Sequence, residues 1–183
     1  MSLHADTVAA LTDWQPSARG QQSLRQAFLA FLAARPDACA RSCEPGHITA
    51  SALVLSSTGS HVLLTLHPRV GAWLQLGGHC EPDDATLVDA ALREASEESG
   101  IERLTIEPTP VHVDVHPITC SLGVPTRHFD VRFVVHAPAG AQPVRSDESL
   151  DLRWWPLDDL PDPTGTSGLA DMLAAAGRLP TPA

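Results

Sequence analysis

The first part of the chain carries hydrophobic residues at helical spacing, whereas the rest carries apolar runs and alternating patterns. Leu24, Phe28 and Leu32 recur at intervals of one helical turn, which predicts a helical segment within residues 1–45. From residue 46 onward, short apolar runs are separated by turns that contain Gly and Pro, and this pattern predicts strands. We therefore expect an N-terminal helical extension over residues 1–45 and an α/β domain over residues 46–178.

Predicted strands and helices alternate in the second part of the chain. Strands are predicted over residues 48–55, 61–66, 111–116, 128–136 and 150–155. A Gly-rich bend at Gly77–Gly78 precedes a helix of about 15 residues, which ends at Gly100 because glycine suits the left-handed position after a helix. A short terminal helix is predicted over residues 169–176. This mixture predicts a single α/β domain.

Composition and charge restrict the class of protein and of partner. The 183 residues are 43% hydrophobic and 19% charged, as in a soluble globular protein. Acidic residues outnumber basic ones 22 to 12, and the formal charge of −10 argues against a nucleic-acid polymer as partner. The chain has no apolar run long enough to span a membrane, no secretory signal pattern and only four cysteines. These features predict a reduced, cytoplasmic protein without membrane contact.

Three carboxylates crowd one face of the helix that ends at Gly100. Glu94, Glu97 and Glu98 stand at positions i, i+3 and i+4, and like charges at this spacing cost about 0.2–0.5 kcal/mol per pair. The opposite face is apolar and suited to packing on a sheet. A divalent cation would neutralise the cluster, and oxygen ligands favour Mg²⁺ or Mn²⁺ over zinc. A solvated acidic face is the alternative interpretation.

The segment from Gly78 to Ile101 resembles the Nudix box, G-x5-E-x7-R-E-U-x-E-E-x-G-U, in which U is aliphatic. The second half matches without a gap at Arg93, Glu94, Ala95, Glu97, Glu98, Gly100 and Ile101. The first half differs, because Asp84 replaces the box Glu and eight residues instead of seven separate it from Arg93. The additional residue lengthens the loop or the start of the helix, where Asp83 or Asp84 could act as N-cap.

The resemblance implies a fold, an activity and a set of roles. Nudix hydrolases form an α/β/α sandwich around a mixed sheet, and they cleave a nucleoside diphosphate linked to another group through attack of water on phosphorus. It implies that Glu97 and Glu98 bind Mg²⁺ or Mn²⁺, with Glu94 as a further ligand or general base. The carbonyl of Gly77 is implied as a backbone ligand, and Arg93 as the residue that orients the carboxylates.

Residues outside the box are further candidates for the site. Glu148 is a candidate general base, with an exposed loop acid as the alternative. Arg69 and Arg132 are candidates for phosphate contacts, because a guanidinium group matches phosphate oxygens. His128 lies on the same predicted strand face as Arg132, and this face is expected either to line the substrate pocket or to meet solvent.

Other interpretations of the sequence are weaker. Cys39-x3-Cys43 with His47 suggests zinc, but the set is one ligand short, so plain thiols are favoured. An isopentenyl-diphosphate isomerase-like activity, also known on this fold, needs a Cys and Glu context that is not recognised here. A non-catalytic sensor of nucleotide metabolites would be expected to lose box carboxylates. The extension over residues 1–45 could cap the substrate pocket or mediate the contact between two copies in a homodimer.

Overall fold

An eight-stranded mixed sheet lies at the centre of the computed structural model, which describes residues 1–119, 123, 125–147, 149–162 and 168–178. The strands of this sheet are β1 His47–Leu55, β2 His61–His67, β3 Ala72–Leu74, β4 Leu76–His79, β5 Thr105–Ile106, β6 His112–Thr119, β7 Pro125–His136 and β8 Asp151–Pro156. The helices of the described ranges are α1 Leu3–Asp13, α2 Arg19–Ala34, α3 Leu87–Ser99 and α4 Leu169–Ala175. None of them is long and apolar enough to cross a membrane.

The parallel pair of β1 and β7 forms the middle of the sheet. Its register runs from His47 opposite His128 to Leu55 opposite His136. The strand order is β3-β2-β1-β7-β5, with β4 paired to β1, β6 to β7 and β8 to β2. Every residue of β1 is buried, as expected for a strand that is covered on both faces.

Helices cover both faces of the sheet. Ala50 and Ala52 of β1 face the clusters that α1, α2 and α3 help to form. Leu53 and Leu55 point to the other face, where α4 packs, because side chains alternate along a strand. The predicted α/β/α arrangement with a mixed sheet is therefore confirmed.

The N-terminal helices share the core of the main domain. Leu11 and Phe28 are fully buried in the same cluster as residues of α3, β6 and β7. The side chain of Gln21 in α2 accepts a hydrogen bond from Val113 N at 2.8 Å and donates one to Val113 O at 3.0 Å. This amide pairs with β6 as a neighbouring strand would. The presence of α1 and α2 confirms that the N-terminal segment is helical. The boundary at residue 45 stays a prediction.

The start of α3 differs from the expected cap. Thr86, not Asp83 or Asp84, is the N-cap residue, and its hydroxyl accepts from Asp89 N at 3.0 Å. Asp6 of α1 accepts from Leu87 N at 2.9 Å and satisfies a second free N–H group of the first turn. Asp84 and Asp83 lie two and three residues before Thr86, too early in the chain to cap the first turn, so the predicted N-cap is wrong.

The Gly77–Gly78 bend is part of a strand. Gly77 pairs with Ser51 and Gly78 with Ala50, so β4 forms an antiparallel pair with β1. Gly77 has a φ of 145°, and a Cβ atom there would lie 2.5 Å from Ser51 Cα. Only glycine fits this position, so the residue type that suggested a bend instead permits close strand pairing.

Candidate active site

The carboxylates of α3 lie directly beside β4. The backbone N–H of Gly77 donates a hydrogen bond to Glu98 Oε2 at 3.0 Å. A Cβ atom at Gly78 would stand 2.7 Å from Glu94 Oε1, so the glycine makes room for this carboxylate. Glu94 is 14% exposed at its side chain and Glu97 61% exposed, so the cluster runs from the β4 surface outward to solvent.

Arg93 connects the box loop with the carboxylates. Its Nε and Nη2 atoms donate to the two oxygens of Asp84, each at 3.0 Å. Its Nη1 atom donates to Glu94 Oε1 and to Glu97 Oε2, each at 3.1 Å, and Nη2 also donates to His79 O at 2.8 Å. The hydrogen bond with Asp84 raises the pKa of Arg93, so this residue is a permanent cation.

Asp84 forms a bidentate ion pair with Arg93 in spite of the longer spacing between them. Burial alone would raise the pKa of this carboxyl, but the hydrogen bond from Arg93 lowers it below the ordinary value. Asp84 Oδ2 also accepts from Glu81 N at 2.7 Å, which closes a local turn. Asp84 lies two residues before the N-cap Thr86, and its bidentate pair with Arg93 connects the loop to α3.

The donor set of this edge fits a hard divalent cation. Glu94, Glu97 and Glu98 supply carboxylate oxygens from one helix, while the nearby Asp84 is engaged with Arg93. Arg93 contacts Glu94 and Glu97 and is also paired with Asp84, so the carboxylates outnumber the single guanidinium and leave a net negative charge at the edge of α3. Such an all-oxygen environment suits Mg²⁺ or Mn²⁺.

The polar faces of β6 and β7 meet in direct register. Asp114 lies opposite Asp130, and His116 lies opposite His128. Arg132 is 1% exposed; its Nε donates to Asp130 Oδ2 at 2.7 Å and its Nη2 to Asp114 Oδ2 at 3.0 Å. This face is a buried network of ion pairs, and Arg132 is committed to two carboxylates.

The other predicted residues lie in different places. Arg69 is exposed in the turn between β2 and β3. Glu148 lies outside the described residues. His128 lies next to two further histidines, His47 and His79, with ring centroids 5.0 and 4.9 Å away.

Sequence spacing does not predict this histidine cluster. One ring nitrogen from each of His47, His79 and His128 lies within 4.8 Å of the others. Burial lowers the pKa of His47, that of His79 to about 4 and that of His128 to about 3. The three residues are far apart in the chain, so only the pairing of β1 with β4 and β7 brings them together.

The two cysteines near His47 do not belong to the cluster. Cys39 Sγ lies 3.6 Å from the hydroxyl of Thr7, and Cys43 is buried. Burial raises the pKa of both thiols. Of this motif only His47 takes part in the histidine cluster, and the favoured interpretation as plain thiols agrees with the environment of both cysteines.

Most of the chain matches a known protein family. The family model of the NUDIX domain matches residues 45–176. The chain therefore belongs to the NUDIX domain family, and the resemblance of the box segment is confirmed. Over 93 residues the chain is 33% identical to an m7GpppN-mRNA hydrolase, NUDT17, from Bos taurus. This match covers 46% of the chain and 30% of the length of that relative.

Solved structures share the fold at low sequence identity. An Ap4A hydrolase from C. elegans has a TM-score of 0.55 and 20% identity, over 71% of this chain and 94% of that one. A Nudix hydrolase from M. smegmatis, RenU, has a TM-score of 0.51 and 22% identity, over 75% of this chain and 91% of that one. These likenesses support the mixed sheet between helices.

Proposed function

We propose that the protein hydrolyses the diphosphate linkage of a nucleoside diphosphate linked to another group, or of a similar small diphosphate metabolite, with Mg²⁺ or Mn²⁺. The observation that carries the proposal is the arrangement of Glu94 and Glu98 against the backbone of β4, with Arg93 hydrogen-bonded to Glu94. A solvated acidic helix face would not need a main-chain donor or a glycine that makes room for a carboxylate.

The metal ligands in this proposal are Glu94, Glu97, Glu98 and the carbonyl oxygen of Gly77. A bound Mg²⁺ or Mn²⁺ supplies positive charge at the phosphoryl oxygens and makes a bound water more acidic. Gly77 N–H donates to Glu98 Oε2 at 3.0 Å and fixes this carboxylate beside β4. Arg93 keeps Glu94 and Glu97 in place through Nη1, while Asp84 fixes its other side.

In the proposed reaction a water oxygen attacks one phosphorus, the bridging P–O bond breaks, and two phosphate-terminated products leave. A carboxylate takes the proton of the water, and Glu94, Glu98 and Glu148 are the candidates for this general base. Arg69 is proposed as a phosphate contact because its side chain is exposed. Arg132 was expected to have the same role, but its two buried ion pairs favour a role in positioning β6 against β7.

Relatives support a nucleotide derivative as substrate. The solved structure with the TM-score of 0.55 is an Ap4A hydrolase, and the curated relative is an mRNA hydrolase that acts on an m7GpppN end. Both names describe compounds with nucleosides on a polyphosphate chain. The net charge of −10 favours a small compound over a long RNA, because a polyanion would be repelled.

The test is a phosphate-release assay that is coupled to a phosphatase. The compounds are nucleoside di- and triphosphates, nucleotide sugars, dinucleoside polyphosphates, ADP-ribose, a capped dinucleotide and a short capped RNA, each with Mg²⁺, Mn²⁺ or EDTA. The variant is Glu98→Gln, and the matched control is Glu102→Gln, which makes the same chemical change just after α3 at an exposed position.

We expect metal-dependent release from at least one small compound and a loss of about a hundredfold or more in Glu98→Gln, which is typical for the loss of a catalytic electrostatic group. Glu102→Gln should retain the wild-type rate. Binding without any release would contradict the proposal and favour a sensor. Activity that survives both EDTA and Glu98→Gln would remove the acidic helix from the site. Faster turnover of the capped RNA than of every small compound would contradict the substrate class.

A further inference from the structure

We propose that His47, His79 and His128 form a binding site for one transition-metal ion of the zinc class, separate from the carboxylates of α3. Their ring nitrogens lie within 4.8 Å of one another. Three different strands contribute these residues, since His47 belongs to β1, His79 to β4 and His128 to β7. The proposal does not depend on the hydrolytic reaction.

The position of the three side chains follows from the strand register. His47 lies directly opposite His128 in the parallel pair, so both side chains point to the same face. His79 pairs with Thr49, which lies two residues after His47 and therefore on that face as well. The ring centroids of the three imidazoles are 4.9–5.0 Å apart. The convergence is thus built into the backbone of the sheet.

Hydrogen bonding prepares His47 as a ligand. Its Nδ1 atom lies 3.3 Å from the carbonyl oxygen of Cys43, and a carbonyl can only accept. Nδ1 therefore carries the proton in the neutral ring, and Nε2 keeps its lone pair. Metal-bound histidines in proteins usually donate their second ring N–H to a carbonyl or carboxylate in this way.

Two ring nitrogens of the cluster are buried without a hydrogen-bond partner. These atoms are His47 Nε2 and His128 Nε2, and His47 is only 1% exposed. A buried polar atom without a partner is destabilising, so native structures rarely retain one without a reason. Two such atoms in one group of three imidazoles are explained by a ligand that accepts their lone pairs.

The donor atoms determine the kind of ion. Neutral imidazole suits zinc, copper, iron and nickel, whereas Mg²⁺ requires oxygen ligands. Zinc–nitrogen bonds of about 2.0–2.1 Å place tetrahedral ligands about 3.3 Å apart, so the rings must move inward on binding. His79 and His128 are partly exposed, which opens the site toward solvent.

The site lies next to the loop of the Nudix box. The carbonyl oxygen of His79 accepts from Arg93 Nη2 at 2.8 Å. An ion held by His79 would therefore stabilise β4 at the point where the box arginine is attached. For His128 this is a different role from the substrate contact that the sequence suggested.

Direct metal binding tests the proposal without an activity assay. Metal-free protein in millimolar Mg²⁺ is titrated with Zn²⁺ against a chromophoric chelator, and Cu²⁺ is added separately for electron paramagnetic resonance. The variants are His79→Gln and His128→Gln. The matched control is His136→Gln, at the other end of β7, where the ring lies near the exposed Glu107. Glu98→Gln separates this site from the carboxylates.

We expect one equivalent of Zn²⁺ in the wild type and an affinity that falls about a hundredfold or more in His79→Gln and His128→Gln, because even second-shell losses cost 10–100-fold. In His136→Gln and Glu98→Gln the affinity for Zn²⁺ should stay within about twofold of the wild-type value, because neither residue is a ligand of this site. A drop in Glu98→Gln equal to that in His128→Gln would overturn the proposal. If the histidine variants fail to fold, wild-type Cu²⁺ spectra decide: nitrogen hyperfine splitting supports the site, and oxygen ligation alone overturns it.

Discussion

The carboxylate edge of α3 and the polar face shared by β1, β4, β6 and β7 lie on either side of the same short strand, β4, yet they are built in different ways. Glu94, Glu97 and Glu98 converge because they are neighbours on one helix. His128, Asp130 and Arg132 meet their partners only through the register of separate strands. The first region follows from local spacing, and the second from long-range pairing.

The two regions also differ in burial and in chemistry. Carboxylate oxygens on α3 extend toward solvent, with Glu97 61% exposed, and an all-oxygen set of this kind suits a hard cation. Arg132 and Asp130 on the sheet are 1% and 2% exposed. Buried charges require fixed partners, so mutations there should affect stability first, whereas mutations at the edge of α3 should affect activity first.

The largest effect is expected for Arg132→Met. The substitution leaves the buried Asp130 and the partly exposed Asp114 without their shared cation, and the free energy of unfolding should fall by about 3–5 kcal/mol. Urea unfolding measures this change. Arg153→Met removes an exposed pair with Asp151 and should cost at most about 1 kcal/mol. Equal losses in the two variants would contradict the difference between buried and exposed pairs.

Substitutions at the two neighbouring glycines of β4 should separate an effect on stability from an effect on activity. Gly77→Ala places a Cβ atom 2.5 Å from Ser51 Cα at a φ of 145°, and should destabilise the fold by about 1–3 kcal/mol or more. Gly78→Ala places it 2.7 Å from Glu94 Oε1, so the carboxylate must move. A misplaced catalytic group should lower kcat about tenfold or more with little loss of stability.

The control for both glycine variants is Gly20→Ala in α2, where no atom lies within 4 Å of the new Cβ. This substitution should leave kcat unchanged and stabilise the helix by about 0.5–1 kcal/mol. Thermal unfolding and steady-state kinetics are measured for all three variants. A stable Gly77→Ala protein with full activity would show that β4 does not need its close approach to β1.

Arg93→Lys tests the simultaneous hydrogen bonds of Arg93 with Asp84 and with the carboxylates of α3. Lysine cannot bind both oxygens of Asp84 and also reach Glu94, so the box loop loses its link to the carboxylates. We expect kcat to fall about tenfold, with a smaller change in stability. Arg35→Lys, at the exposed pair with Asp37, should leave kcat unchanged. Full activity in Arg93→Lys would restrict the role of Arg93 to its charge.

The smallest effect is the acid dependence of stability. The pKa of Asp84 in the box loop and that of Asp114 on the sheet both lie below 3.8 in the folded protein. Near this pH the unfolded chain binds more protons, so their contribution is present above the unfolded pKa and is lost as pH falls through the folded pKa. Urea unfolding from pH 7 to pH 3 in EDTA should show this loss. Asp84→Asn and Asp114→Asn should each flatten the slope, and unchanged slopes would contradict the prediction.

Local sequence patterns correctly predicted the strands and helices that have a clear hydrophobic pattern of their own. The alternation around Val113 and the apolar run of β1 became strands near the expected positions, and α3 ended at Gly100 with a φ of 64°. The short strand β4 was missed because its glycines have weak strand propensity, and their pairing depends on β1. The predicted N-cap of α3 was wrong because the side chain of Asp84 instead closes a turn with Glu81 before the helix begins.

Spacing along one helix is therefore sufficient to predict three carboxylates on one face of α3, an arginine beside them and an apolar face for the sheet. Tertiary structure alone decided that Asp84 reaches Arg93 across an additional residue, that Asp6 of α1 caps α3, and that Arg132 is buried. It also brought His47 and His79 to His128. A helix repeats every few residues and can be read from the chain, whereas a sheet joins distant residues through a register that only the folded backbone defines.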